Sequence, residues 1–374
     1  SQLWGEQYRQ KISDIITVQE EIAWQISEAL RLKLTVAQKK KLRKRPTVNP
    51  NAYQAYLRGR HYWNQWSPEG FRRAAEYFQE AIDEDPLYAV AYAGLGDTYG
   101  SMAYYGYIDP RDGFARAGAA ARRALELDRD LADAHVTVAL GKLFASWDWP
   151  AARHELQQAV ALNPKLAIAH SIYALYLATT GQFDEALQAA KTGCDLDPLS
   201  LVANMGVAWV HHFAGDHEAA AREALRAREL APAFEEAGNV LISSYDALGR
   251  HDEAAHLISE QACWGVRLDG QQLLAAYHQG GPEAYWRKRL ELMHAAVQSI
   301  PPAIHFAYAI IRLQLGDVDS ALDHLDRMVD AHVGAVVFIG VDPTLRRLRG
   351  NDRYEAILRR VGSPMASAPH TAST

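Results

Sequence analysis

Cysteine is almost absent: Cys194 and Cys263 are the only two among 374 residues. Two thiols exclude a disulfide-built scaffold and a four-cysteine zinc site. No apolar run reaches the roughly 18 residues that span a bilayer as a helix. The opening stretch SQLWGEQYRQ lacks both the basic start and the apolar run of a signal peptide. Phosphate-binding loops of the GxxxxGKS and GxGxxG types are missing from any strand-to-helix setting, and no GxSxG, HExxH or kinase signature set occurs. These absences read as a protein without the common catalytic machinery, a bound metal or a cofactor.

What is present is ordinary in amount and uneven in arrangement. Hydrophobic residues make up 49% and charged residues 22%, which is average for a soluble globular chain and excludes disorder throughout. The formal net charge is −6. Residues 1–45 carry ten Lys/Arg against five Asp/Glu, a net of +5, so the remainder carries −11. Eight of those cations fall between Arg31 and Arg45, in RLKLTVAQKKKLRKRP. Such a run attracts nucleic acid or anionic lipid. No aromatic residues interleave it and the acidic body repels polyanions, so it reads as a solvated linker, and nucleic acid is not an expected partner.

The arrangement is periodic. Pro164, Pro198 and Pro232 stand 34 residues apart, and Gly181, Gly215 and Gly249 keep the same step. Each unit reads as two amphipathic helices joined by a short turn. Leu140, Gly141 and Phe144 lie in a first helix, and Ala152, Leu156 and Ala159 form the stripe of a second at i, i+4, i+7. Gly181 suits a left-handed helix end before Phe183 and Ala186. Upstream, Gly59, Tyr62, Ala74, Phe78, Ala81 and Pro86 fit with a lengthened turn, NQWSPEGF. The next unit fits with about nine residues inserted around MAYYGYIDP. Gly316, Ala321, Leu325 and Met328 mark a late unit, and residues 268–299 read as a degenerate one.

Repeat length, turn glycine and closing proline together resemble the tetratricopeptide repeat family. The resemblance implies an all-α fold, a right-handed α-α superhelix of about seven to eight helix pairs over residues 50–333. Residues 1–49, with Ile15, Ile22, Ile26 and Leu30 on one helix face, resemble the C-terminal edge of a TolB-like domain followed by a basic linker. That domain precedes repeat arrays in bacterial signalling proteins linked to kinases, cyclases or winged-helix regulators. Residues 334–362 then read as a C-terminal helical cap and 363–374 as a disordered tail.

The resemblance implies that the first helix of each pair lines a concave groove that holds partners. Its groove positions fall on Tyr53, Tyr56, Arg60, Trp63 and Asn64 in the first unit, and on Asp97 and Lys142 in the second and third. In the fifth they fall on Met205, Trp209, His212 and Phe213, and in the sixth on Glu236, Asn239, Ser243 and Asp246. The lysine, asparagine and arginine clamp of the family's chaperone-tail binders is not reproduced. Met205, Trp209 and Phe213 instead form an apolar patch. The chain's own helix over residues 14–34 is one candidate to cover it. Tyr104, Tyr105 and Tyr107 of the insertion either present a recognition loop or fold back to fill space. His211, His212 and His217 do not converge with a carboxylate or thiol as a metal site would. Cys194 and Cys263 read as buried thiols two repeats apart, beyond the ~7 Å reach of a disulfide.

The expected function is a non-enzymatic interaction module of a bacterial signalling protein, with a protein or peptide in the groove. The alternative is a sensory domain that encloses a small molecule or peptide and gates an upstream effector. A homodimer is compatible with either reading. A cytoplasmic location is expected, or an extracytoplasmic one if a membrane anchor precedes the chain.

Overall fold

A computed structural model describes residues 47, 49–232, 234–263, 265–297, 300 and 302–367. The basic run, the helix expected over residues 14–34, nearly all of the TolB-like segment and residues 368–374 lie outside the described residues.

Polar caps and prolines set many of the helix starts. Asn49 accepts the backbone N–H groups of Asn51 and Ala52, with Pro50 at the first helical position. Ser67, Asp109 and Asp148 cap their helices in the same way, next to Pro68, Pro110 and Pro150. The described residues form sixteen α-helices, beginning with α1 Pro50–Trp63, α2 Pro68–Glu84, α3 Ala89–Tyr104 and α4 Pro110–Leu127. Next come α5 Ala132–Phe144, α6 Trp149–Leu162, α7 Ala167–Thr179 and α8 Phe183–Leu196. Then follow α9 Leu201–Ala214, α10 His217–Leu230, α11 Glu235–Ala247 and α12 His251–Glu260. The last are α13 Gly270–Ala296, α14 His305–Gln314, α15 Val318–Asp330 and α16 Asp352–Arg360.

The pairs stack into an α-α superhelix. From α1 to α11 each odd-numbered helix touches the next odd-numbered one, which makes them the inner layer. Ala152, Ala186, Ala220 and Ala254 repeat every 34 residues and are fully buried, because a larger side chain would hold the helices apart. The degenerate unit is α13, which is broken at Gly281 with φ of 69°, immediately before Pro282.

One turn position recurs, the residue just before the second helix's N-cap. Gly181, Gly215, Gly249 and Gly316 hold it with φ between 71° and 89°. Trp66 and Trp147 hold it in the first and third units, with φ of 47° and 52°. For a bulky residue that conformation costs roughly 1–2 kcal/mol. Both indoles are packed against distant parts of the chain, which holds the strained turns in place.

The last pair buries two histidines against each other. His305 Nδ1 and His324 Nδ1 are 2.7 Å apart, and the Tyr308 ring stacks on His324. Burial, with positive His305, Arg327 and Arg312 nearby and Asp323 opposing, pushes His324 down to about 4; burial and Arg327 lower His305 as well. A histidine whose folded value lies below its unfolded value favours the unfolded chain in acid. Stability is therefore intact above pH ~6.5 and falls as pH drops toward 4, by about 2–3 kcal/mol. Urea midpoints for wild type and His324→Phe are expected to diverge over that window, the variant losing less. Parallel losses in the two proteins would remove the pair as the cause.

Candidate functional site

The end of the chain turns back onto its middle. A 3-10 turn, Gly334–Phe338, meets α3 and α5, and a second, Thr344–Leu348, meets α14. Four contacts anchor the return. Trp149 Nε1 donates to the Val361 carbonyl at 2.9 Å, and Arg346 donates to the Phe213 carbonyl at 2.7 Å. Trp147 stacks on His332 with centroids 4.6 Å apart, and Phe338 stacks on Phe213 at 4.9 Å with planes 8° apart. The inner face also meets itself nearer the start, where Trp66 lies edge-on to Phe234 at 5.9 Å and to Tyr105 at 6.1 Å.

This curl borders a partly open cavity of about 460 Å³ on the concave side. Its apolar wall runs through Trp66, Tyr104, Tyr105, Phe144, Phe213 and Phe338. Tyr104 sits 5.0 Å from Tyr105 and 4.9 Å from Phe144, so the insertion folds inward at these two positions. Burial raises both phenols above their usual range, the Glu236 carboxyl adding to it. Tyr107 is 40% exposed.

The polar wall comes from α9, α11, α13 and the returning segment. Glu236 Oε1 accepts Trp209 Nε1 at 3.3 Å. Glu236 lines the cavity and is partly buried, and burial pushes it up to about 7, against the hydrogen bonds from Trp209 and Asn239. Deeper, Asp246 accepts the Tyr285 hydroxyl at 2.9 Å and pairs with Arg289, whose Nη2 also lies 3.3 Å from Cys263 Sγ. Both partners are under a tenth exposed. His212 Nε2 stands 3.7 Å from the buried Asp342 carboxylate, while its Nδ1 and that of His217 are buried without hydrogen-bond partners among the described residues. Desolvation lowers His217. Among the described residues no three His, Cys, Asp or Glu side chains converge as a metal site.

The sequence-derived groove residues divide into two groups. Trp209, His212, Phe213, Tyr104 and Tyr105 all line the cavity, with Glu236, Asn239, Ser243 and Asp246. Tyr56 packs on Phe78 and Tyr88, and Arg60 lies over the ring of Trp63, which is itself buried. Asn64 is exposed at the end of α1, and Tyr53 is half-buried against the core. Asp97 accepts the Thr137 hydroxyl, and burial raises its carboxyl to about 7. Lys142 lies 3.6 Å from Asp148. Met205 has no exposure and sits in the interhelical core. Of the thiols, Cys263 is buried and Cys194 only partly so, its Sγ 3.0 Å from the Ala203 carbonyl. Sequence reasoning missed Trp66, Arg289, Phe338 and Asp342. A tryptophan at a turn-glycine position was the one local signal among them.

A family model described as "Tetratricopeptide repeat" matches residues 143–200. The transcriptional regulator HilA of Salmonella typhimurium is 28% identical over 158 residues, covering 42% of this chain and 28% of that one. A putative adenylate cyclase 3 of Rhizobium meliloti is 29% identical over 143 residues, covering 37% and 24%. The matched stretch spans about a quarter of the length of these curated relatives. Among solved structures, a human IFIT1 dimer with PPP-AAAA aligns with a TM-score of 0.48 at 14% identity, over 84% of this chain and 78% of that one. A thermophilic protein of Thermus thermophilus, TTC0263, aligns at 0.41 and 17% identity, over 53% and 98%.

Proposed function

We propose, from the premise that this chain is a tetratricopeptide repeat protein, that its curled concave face encloses a small molecule or short peptide and reports its presence. Such repeats commonly serve protein–protein interaction or peptide binding and are typically non-enzymatic scaffolds. One observation carries the finer reading: the chain's own segment 332–348 lies along the concave side and narrows it to a partly open cavity of about 460 Å³. That volume lies within the range of small-molecule sites, and apolar walls with a few convergent polar groups are their usual chemistry. The relatives named as a transcriptional regulator and a putative cyclase support a regulatory setting, in which the array gates an effector elsewhere in the protein. Among the described residues no helix is long and apolar enough to cross a membrane.

A second reading has its own observation. The Gly334–Phe338 turn occupies the inner face, with Phe338 laid on Phe213, so a partner peptide has a surface to take over by displacing it. One experiment separates the two. Thermal-shift screening with small molecules and short peptides is expected to give ligands that raise Tm by several degrees at saturation. Trp209→Ala and Phe338→Ala are each expected to weaken them at least tenfold, a loss of about 1.4 kcal/mol. Hits indifferent to both substitutions would place the ligand elsewhere. Peptides that bind more tightly to Phe338→Ala than to wild type would favour displacement.

A further inference from the structure

The charge around Glu236 identifies a ligand chemistry, an inference that rests on the cavity being a ligand site. Glu236 lines the cavity, accepts from Trp209 Nε1 and bonds with Asn239. No lysine or arginine among the described residues makes an ion pair with it, and the charged groups felt there are Glu235, which opposes its ionisation, and His212, which favours it. The other cations of the cavity are engaged. Arg289 is paired with Asp246, whereas Arg347 is held by neutral acceptors, the Leu313 carbonyl and the Gln314 side chain, and does not reach Glu236. A carboxylate taken out of water without a cation is costly. Tyr104 and Tyr105 lie close enough to Glu236 to feel its charge, and Trp66 and Trp209 line the same cavity.

We infer that the cavity takes a small organic cation, an amine or alkylated ammonium on an apolar body, held between Glu236 and the rings of Trp66, Tyr105 and Trp209. Aromatic faces attract ammonium groups within about 6 Å, most strongly where water is excluded. The apolar body has the Phe213, Phe338 and Phe144 rings to lie against. A cation bound beside Glu236 also holds it ionised. At pH 7 binding therefore expels part of a proton, and affinity falls as pH drops below the carboxyl's empty-site value.

The test uses the full chain and three probes of nearly one shape: phenyltrimethylammonium, its neutral isostere tert-butylbenzene, and the anion benzenesulfonate. Binding is followed by tryptophan fluorescence and calorimetry. The cation is expected to bind at least tenfold more tightly than the isostere, and roughly 20-fold more weakly at pH 5.5 than at 7.5 for a group near 7. Calorimetry in buffers of different ionisation enthalpy is expected to show proton release near pH 7. Glu236→Gln is expected to abolish the preference while binding tert-butylbenzene as wild type does, which also shows that the variant is folded. Tyr105→Leu is expected to weaken the cation more than the isostere. If the isostere or the sulfonate binds as well as the cation and Glu236→Gln changes nothing, the cationic inference fails while the cavity reading stands. If none of the three binds, the cationic inference fails, and the cavity reading is decided by the screen with small molecules and peptides.

Discussion

Arg289→Ala is expected to cost about 3–5 kcal/mol of stability, because it strands a buried carboxylate. Asp246 accepts from Tyr285 and faces His251 Nδ1 at 3.3 Å, but Arg289 supplies the only full positive charge paired with it among the described residues. Removing that charge leaves Asp246, 8% exposed, to be neutralised or hydrated within the core. Replacing both partners by apolar residues of similar size, Asp246→Leu with Arg289→Met, is expected to recover most of the loss. Urea unfolding followed by circular dichroism measures both. A single-variant loss below about 1 kcal/mol would mean that water already reaches the pair and screens it.

Phe78→Ala is the second large expectation, at about 3–5 kcal/mol for a buried phenylalanine. Phe78 has no exposure and packs between α1 and α3. A Cβ at either Gly59 or Gly94 would sit 2.7 Å from its ring, so both helices approach the ring as closely as glycine permits. Gly59→Ala is expected to destabilise as well, because its Cβ meets a ring that Gly94 confines from the other side. In a stack of repeats such a defect acts first on its neighbours. Exchange of amide hydrogens in α1 to α4 is therefore expected to accelerate before that in α14 and α15. A uniform acceleration along the chain would show that the two ends are energetically one unit.

The helix pairs were legible because their determinants are local. Turn glycines and small residues at fixed spacing need no knowledge of the rest of the molecule, and Gly181, Gly215 and Gly249 do have the left-handed backbone their place requires. The sixth unit's polar row, Glu236, Asn239, Ser243 and Asp246, was likewise readable from its register on one helix face. Two things were hidden. Met205 occupies a groove register in the sequence yet is consumed by the interhelical core, since register gives direction but not the depth of packing. The return of the chain end was invisible, because Phe338 finds Phe213, and Val361 finds Trp149, through the summed curvature of many repeats. No window of sequence holds that sum. Trp66 and Trp147 were its nearest local trace.

That return has a kinetic consequence. An open stack of repeats folds by neighbour-to-neighbour growth and frays from its ends. Here Trp149 is bonded to Val361, 212 positions along the chain, so the final contacts wait on the closure of a very long loop. Mean sequence separation between contacting residues rises, and the search for the native state lengthens with it. In exchange, the last helix pair cannot peel away without breaking bonds to the third and fifth repeats. The chain end therefore comes away as a clasp does, where these bonds join it to the middle of the array.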